Sequence, residues 1–215
     1  MKGLFISFEG TDGSGKTSVI KEVERYLRLE GIDVVTTREP GGVSISEQVR
    51  NVIHDNNNTD MDAVCEALLY AAARRQHLVQ KVVPLLKEGK VVLCDRYVDS
   101  SLAYQGYARG LGIDLVKGIN DYATGGMYPD LTIYLDVRPE IGIQRIMTHT
   151  QTHEVNRMDN ESIEFHKKTH EGYELLVKMF PERIKPVDGE RTIKEVAIDA
   201  FKLIKEKINS VKNEQ

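Results

Sequence analysis

The octapeptide Gly10-Thr11-Asp12-Gly13-Ser14-Gly15-Lys16-Thr17 sits between an apolar run, Leu4-Phe5-Ile6-Ser7-Phe8, and a helix-period stripe of Val19, Ile20, Val23, Tyr26 and Leu27. It fits G-x-x-x-x-G-K-[ST], and a strand before it and a helix after it are the setting in which that spacing binds phosphate. The glycines let successive backbone N–H groups turn inward around phosphate oxygens, and the helix presents the positive end of its dipole to the same point. Lys16 is then placed to reach the β- and γ-phosphates of a bound nucleoside triphosphate, and the Thr17 hydroxyl to ligate Mg²⁺.

The rest of the chain continues the alternation. A helix over about 15–30 ends at Gly31, residues 32–37 read as a second strand closed by Pro40-Gly41-Gly42, and a helix over about 43–54 follows. A long helix spans about 62–88, with Pro84 as its expected kink. Lys90 to Cys94 and Leu131 to Val137 are short apolar runs of the kind buried on both faces of a parallel sheet, and a last short strand lies near Arg183 to Val187. Helices over about 99–107, 113–125, 139–148, 160–179 and 192–209 fill the remainder, and Lys205 to Gln215 reads as a solvated helix end and frayed tail. The expectation is an α/β fold, a central parallel sheet of about five strands flanked by helices, in one domain over 1–215, since no repeat or linker divides the chain.

A formal net charge of −4 argues against a nucleic-acid partner, so any anion-binding surface has to be local. No run approaches the ~18 apolar residues of a membrane span, and Glu9 stops the first apolar run short of a signal-peptide core; the expectation is a cytoplasmic protein without a membrane partner. Cys65 and Cys94 form neither a disulfide framework nor a zinc pattern, and the apolar stretch around each predicts a buried small hydrophobe.

Phosphoryl transfer depends on cations that meet the charge spreading over the moving group. Arg38, in Thr37-Arg38-Glu39-Pro40-Gly41-Gly42, stands at the carboxyl end of a parallel strand, the edge at which open α/β sheets bind ligands. Asp95-Arg96-Tyr97 directly follows another strand, which places Asp95 to hold a Mg²⁺-bound water and Arg96 to hold a phosphate. Arg50 lies on the helix after the first of these turns, and Arg74 on the long helix. There Val64, Ala67, Leu68, Ala71, Leu78, Val79, Val82 and Leu86 form one apolar stripe, core or dimer surface, with Tyr70 and Arg74 along its edge. A ring beside a guanidinium suits a flat heterocycle. Arg75 falls near the middle of the stripe and reads as a structural arginine paired with a carboxylate, within the chain or across a subunit interface.

Together these segments resemble the thymidylate kinase family, a bacterial-type group of P-loop nucleoside monophosphate kinases. The resemblance rests on Phe8 to Thr17, Thr37 to Gly42, the stretch Asp95-Arg96-Tyr97-Val98-Asp99-Ser100-Ser101-Leu102-Ala103-Tyr104-Gln105-Gly106, Pro129 to Asp136 and Asn156 to Asp159. They occur in family order over roughly residues 3–175, and the 95–106 stretch is the most specific. The resemblance implies the P-loop kinase fold with a mobile lid, a homodimer, and transfer of the ATP γ-phosphate to thymidine monophosphate in deoxynucleotide biosynthesis, with Mg²⁺ as cofactor. It implies that Arg38, Arg50 and Arg96 hold the acceptor phosphate, and that Arg74, Ser101 and Gln105 bond the thymine with Tyr70 stacked on its ring. Tyr104 would crowd the sugar 2′ position and Asp12 would face the 3′-hydroxyl, with Glu9 and Asp95 near the metal.

Bacterial members whose phosphate loop lacks an arginine usually carry extra ones in the lid. Here the lid, about residues 145–158, offers only Arg145 and Arg157 at its ends, with His149 and His153 between them. One of the two arginines is expected to supply transition-state charge, and Arg145 to lie against the adenine. The rival readings are another nucleoside or nucleotide kinase of the same fold, or a non-catalytic ATP-binding switch.

Overall fold

The computed structural model describes residues 3–148, 157–158 and 160–213. The strands are β1 (Leu4–Glu9), β2 (Val34–Arg38), β3 (Val91–Asp95), β4 (Leu131–Asp136) and β5 (Ile184–Asp188), in one five-stranded sheet of order β2-β3-β1-β4-β5. Every pairing is parallel, with Phe8 opposite Asp95, Arg38 opposite Asp95 and Glu9 opposite Tyr134. The expected parallel α/β sheet is therefore present. After β1 the chain crosses to β2, returns to fill the β3 position, then crosses β1 to β4. The phosphate loop thus opens where the strand order reverses, the point at which such sheets bind ligands.

Period-2 alternation sends β1 into two different layers. Leu4, Ile6 and Phe8 face α1 (Lys16–Leu29) and α9 (Ile193–Asn213), packing with Val19, Val23, Leu27, Ala197 and Ile204. Phe5 faces the opposite layer, with Leu78, Val82, Tyr97, Leu102 and Tyr173. All six residues of β1 are buried, which explains its near-continuous apolar run. Further along that second face β1 turns polar: Ser7 shares a hydrogen bond with Thr132, and Thr132 also bonds Asp99, which pairs with Arg183.

The remaining helices are α2 (Ser44–His54), α3 (Ala63–His77), α4 (Val83–Lys87), α5 (Val98–Ser101), α6 (Ile113–Thr124), α7 (Pro139–Thr148) and α8 (Ile163–Met179). The long helix expected over 62–88 is interrupted, but not at Pro84 as expected. It widens into a π-helical turn at Leu78–Val82, and Pro84 occupies the first turn of α4, where a missing N–H is tolerated. A second π-helical segment, Leu102–Ala108, extends α5. The solvated helix end expected from Lys205 is helical through Asn213, with Ile204 and Ile208 buried against α1. Cys94 is buried as expected, whereas Cys65 is exposed on the outer side of α3.

Helix α7 abuts the phosphate loop. A Cβ on Gly13 would lie 2.1 Å from the Gly142 carbonyl oxygen, and one on Gly142 would lie 2.5 Å from that of Asp12. Gly13 also has φ +74°, whereas Gly142 lies within a helix. Alanine in a helix is favoured over glycine by about 1 kcal/mol, so Gly142→Ala would stabilise the chain if space allowed. Forcing atoms into a packed contact costs about 1–3 kcal/mol, and here the neighbour is backbone. Gly142→Ala is therefore expected to lower the midpoint of denaturant unfolding; an unchanged or raised midpoint would show that the helix and loop are not held in this contact.

Candidate active site

The loop after β1 closes around its own lysine. Lys16 Nζ donates to the carbonyl oxygens of Gly10 and Thr11, each at 3.0 Å, and to Ser14 Oγ at 3.2 Å. Burial and the nearby Arg96 charge bring its pKa down to about 8, against the opposing pull of Asp95, Asp12 and Glu9. At the start of α1, Thr17 Oγ1 donates to Asp95 Oδ2 at 2.8 Å. A hydroxyl and a carboxylate beside a phosphate loop form the hard-oxygen donor set that Mg²⁺ takes. The residues present fit that ion: Thr17 could ligate it and Asp95 could hold a metal-bound water.

Arg96 is a positive-φ residue, at +67°, immediately after β3. Its Nη1 donates to the Gly10 carbonyl (3.0 Å) and Ser100 Oγ (3.1 Å), and its Nη2 to Asp12 Oδ1 (2.6 Å) and Tyr104 OH (3.1 Å). Tyr104 OH in turn donates to Asp12 Oδ2 at 2.8 Å. Burial alone would raise the Asp12 carboxyl, but Arg96 and Lys16 outweigh it and hold the group well below the usual range. Arg50 and Arg38 both donate to the Pro40 carbonyl oxygen, at 3.1 and 3.0 Å, and Arg38 also pairs with Glu47. Burial and the Arg38 charge lower the Arg50 pKa, outweighing the nearby Glu47 carboxylate.

A pocket beside this cluster is lined by Asp12, Tyr70, Arg74, Ser101, Tyr104 and Gln105, all six of the residues that the resemblance assigned to base and sugar. His54 and Met158, which the sequence reading did not select, line it too. Arg74 is 2% exposed and largely committed: Nε pairs with Glu39, Nη1 bonds Ser101 Oγ and Asn120 Oδ1, and Nη2 bonds the Tyr97 carbonyl. Glu39 also accepts His77 Nδ1 at 2.8 Å, while His77 Nε2 meets Thr37 Oγ1 at 2.7 Å. Glu39, His77 and Cys94 lie close enough together to suggest a cation site. Both carboxylate oxygens and both ring nitrogens are already hydrogen-bonded, so they form a buried brace between β2 and α3.

Several expectations need correction. Arg157 lines neither the base pocket nor the cleft around the loop; its guanidinium donates to the Ile53 carbonyl oxygen at 2.9 Å and pairs with buried Glu66. A lone arginine in a motif looks the same whether it meets a phosphate or a carboxylate, and Glu66 was not visible as its partner. Glu9 does not face the metal donor set. It points into the sheet's second layer, accepting from the Tyr97 N–H (2.7 Å), Ser100 (2.6 Å) and Tyr173 (3.0 Å), and burial with Asp99 nearby pushes its carboxyl up to about 7. Arg75 is exposed, and within this chain it donates to the Ala123 carbonyl oxygen. Arg145, by contrast, lines the loop cleft and donates to the carbonyl oxygens of Gly189 and Glu190. His149 and His153 lie outside the described residues.

Two clefts therefore meet. One holds Gly13 to Thr17, Asp95 and Arg145; the other holds the base-pocket residues; Asp12, Glu39, Arg50 and Arg96 line both. Anionic groups entering from either side would converge on Arg50 and Arg96.

A family model described as thymidylate kinase matches residues 8–199. A thymidylate kinase of Bacillus velezensis is 54% identical over 211 residues, covering 98% of this chain and 99% of its own length. One of Clostridium novyi is 54% identical, covering 91% and 95%. The crystal structure of a thymidylate kinase from Ehrlichia chaffeensis matches with a TM-score of 0.74 at 32% identity, over 95% of this chain and 99% of that one.

The depressed Lys16 pKa has a direct kinetic consequence. A lysine lowered to about 8 loses its charge above that pH in the free protein, while a bound polyphosphate would restore it. kcat/KM for ATP is expected to fall on the alkaline side with an apparent pKa near 8, while kcat holds to higher pH. A flat kcat/KM profile from pH 7 to 9.5 would mean Lys16 stays charged without ligand.

Proposed function

The chain belongs to the thymidylate kinase family, and on that premise we propose how its two clefts carry out the reaction. It is a nucleoside monophosphate kinase that transfers the γ-phosphate of ATP to thymidine monophosphate. The observation that carries the assignment of sides is the shared wall: Arg50 and Arg96 belong to both clefts, so the two nucleotides lie end to end with their phosphates between those cations. A switch that only senses ATP has no use for a second, base-sized pocket joined to the first.

The phosphate loop takes the ATP phosphates, with Lys16 leaving its own loop carbonyls for phosphate oxygens. Arg145, beside Gly189 and Glu190, faces the adenine side. Thr17 and Asp95 hold Mg²⁺, which when bound supplies charge neutralisation between the phosphates. Arg38, Arg50 and Arg96 receive the acceptor phosphate, which takes the place that the Asp12 carboxylate occupies on Arg96. That exchange frees Asp12 to face the sugar 3′-hydroxyl, while Tyr104, fixed by Asp12 and Arg96, crowds the 2′ position. Tyr70 stacks on the thymine, and Arg74, Ser101 and Gln105 bond its edge. The acceptor is already an ionised phosphate, so positioning and charge suffice without a dedicated general base.

The protein is a cytoplasmic homodimer in this reading. No helix of the described residues is long and apolar enough to cross a membrane. Val64, Leu68 and Val79 of the α3 stripe are 39%, 51% and 40% exposed, apolar surface on one face that a second copy would cover.

A coupled ADP-release assay over a panel of monophosphates checks the acceptor; preference for uridine or adenosine monophosphate would overturn it. Gln105→Ala should raise KM for thymidine monophosphate far more than KM for ATP. Arg145→Ala should raise KM for ATP far more than KM for thymidine monophosphate, while Arg157→Ala should act mainly through stability; a kcat loss on the order of 10³-fold at either would place that arginine at the transferring phosphate. Losses under tenfold at both would remove the lid arginines from the chemistry.

A further inference from the structure

Gln105 lies in the wall of the acceptor pocket and is 2% exposed, so the direction of its amide decides what that wall offers a ligand. Its Nε2 donates to Glu66 Oε1 at 2.9 Å, and its Oε1 has no partner among the described residues. Glu66 is 1% exposed and is held from other directions by Arg109 and Arg157. Burial would raise its carboxyl, but the Gln105 amide, Arg109 and Arg157 together bring it below the usual value, so it is ionised. An ionised carboxylate only accepts, which fixes which end of the amide it takes.

We propose that Glu66 is a specificity-determining positioning residue: by holding the Gln105 NH₂, it makes Gln105 present a hydrogen-bond acceptor to the pocket. Arg74, which has only donors, lines the same pocket. A donor next to an acceptor matches a pyrimidine edge with a carbonyl next to a ring N–H. It mismatches cytosine, whose ring nitrogen accepts and whose amino group donates. With the amide reversed, both groups would donate and the distinction would weaken. The inference rests on the base lying against Gln105, as in the reading above. It adds the group that sets the sense of recognition, a residue with no place in the phosphate chemistry.

The experiment compares kcat/KM for thymidine monophosphate with that for deoxycytidine monophosphate. Glu66→Gln is expected to lower this ratio about tenfold or more, since a site built to pair a polar group discriminates strongly only while its own groups are fixed. A general loss of structure would depress both substrates alike and leave the ratio standing. Introduced into Gln105→Ala, the same substitution should leave the ratio unaltered; an equal shift in that background, or a ratio within about twofold of the unmodified protein's in the single variant, overturns the proposal. Glu66 also neutralises Arg109 and Arg157, so the native protein supplies a second test that does not depend on the variant folding. The Gln105 side-chain NH₂ resonances should exchange slowly with solvent and move little when thymidine monophosphate binds. Rapid exchange, or a large shift of the NH₂ on binding, would place the amide the other way round. If Gln105→Ala leaves the ratio untouched, the placement of the base against Gln105 has failed and the specificity role of Glu66 falls with it; a ratio lost in Gln105→Ala but kept in Glu66→Gln overturns the Glu66 role alone.

Discussion

A buried guanidinium must find acceptors on every side or the fold bears the cost of an unpaired charge, and Arg96 meets that demand by tying the site together. Its donors reach the Gly10 carbonyl at the root of the phosphate loop, the Asp12 carboxylate within it, and hydroxyls of Ser100, Tyr104 and Tyr173 across the second layer. The loop, the end of β3 and the π-helical segment after α5 are fixed relative to one another through this one side chain. Without it, Asp12 and Tyr104 would lose the cation that organises them, and the two clefts would lose their common wall.

The same logic extends into the sheet. The second face of β1 passes from Phe5 to Ser7 to Glu9, from apolar packing to a paired hydroxyl to a carboxylate with three donors. Polar groups concentrate toward the carboxyl end of the strand, where the clefts open, and every one of these is hydrogen-bonded. Buried polar groups without partners cost about 1–3 kcal/mol each, so such a gradient persists only where its network closes. Glu9 and Asp99 serve that closure.

Local spacing carried much of this into the sequence. The phosphate loop, the strand ends bearing Arg38 and Asp95-Arg96, and the helix bearing Tyr70 and Arg74 were legible because each is a short pattern whose chemistry does not depend on distant residues. The six base- and sugar-side positions came from family resemblance and converge on one pocket. What stayed hidden depends on partners far along the chain. Arg157 finds Glu66 across 91 residues, Glu9 finds Tyr173 across 164, and neither pairing leaves a periodic trace. Cys65 misled for a related reason: α3 is apolar on more than one side, so an apolar neighbourhood did not mean the interior. The π-helical turn at Leu78–Val82 has no simple composition signal, and Pro84, the visible irregularity, lies just past it.

The internal contacts of Lys16 bear on how the protein meets its first ligand. The ammonium already rests on two loop carbonyls and a serine hydroxyl, so the curved backbone is held in shape by its own charge. An arriving polyphosphate then trades one set of oxygens for another and does not have to freeze a wandering segment, which spares most of the entropic toll of association. The lysine behaves as an internal template, keeping the mould of an anion ready before any anion is there.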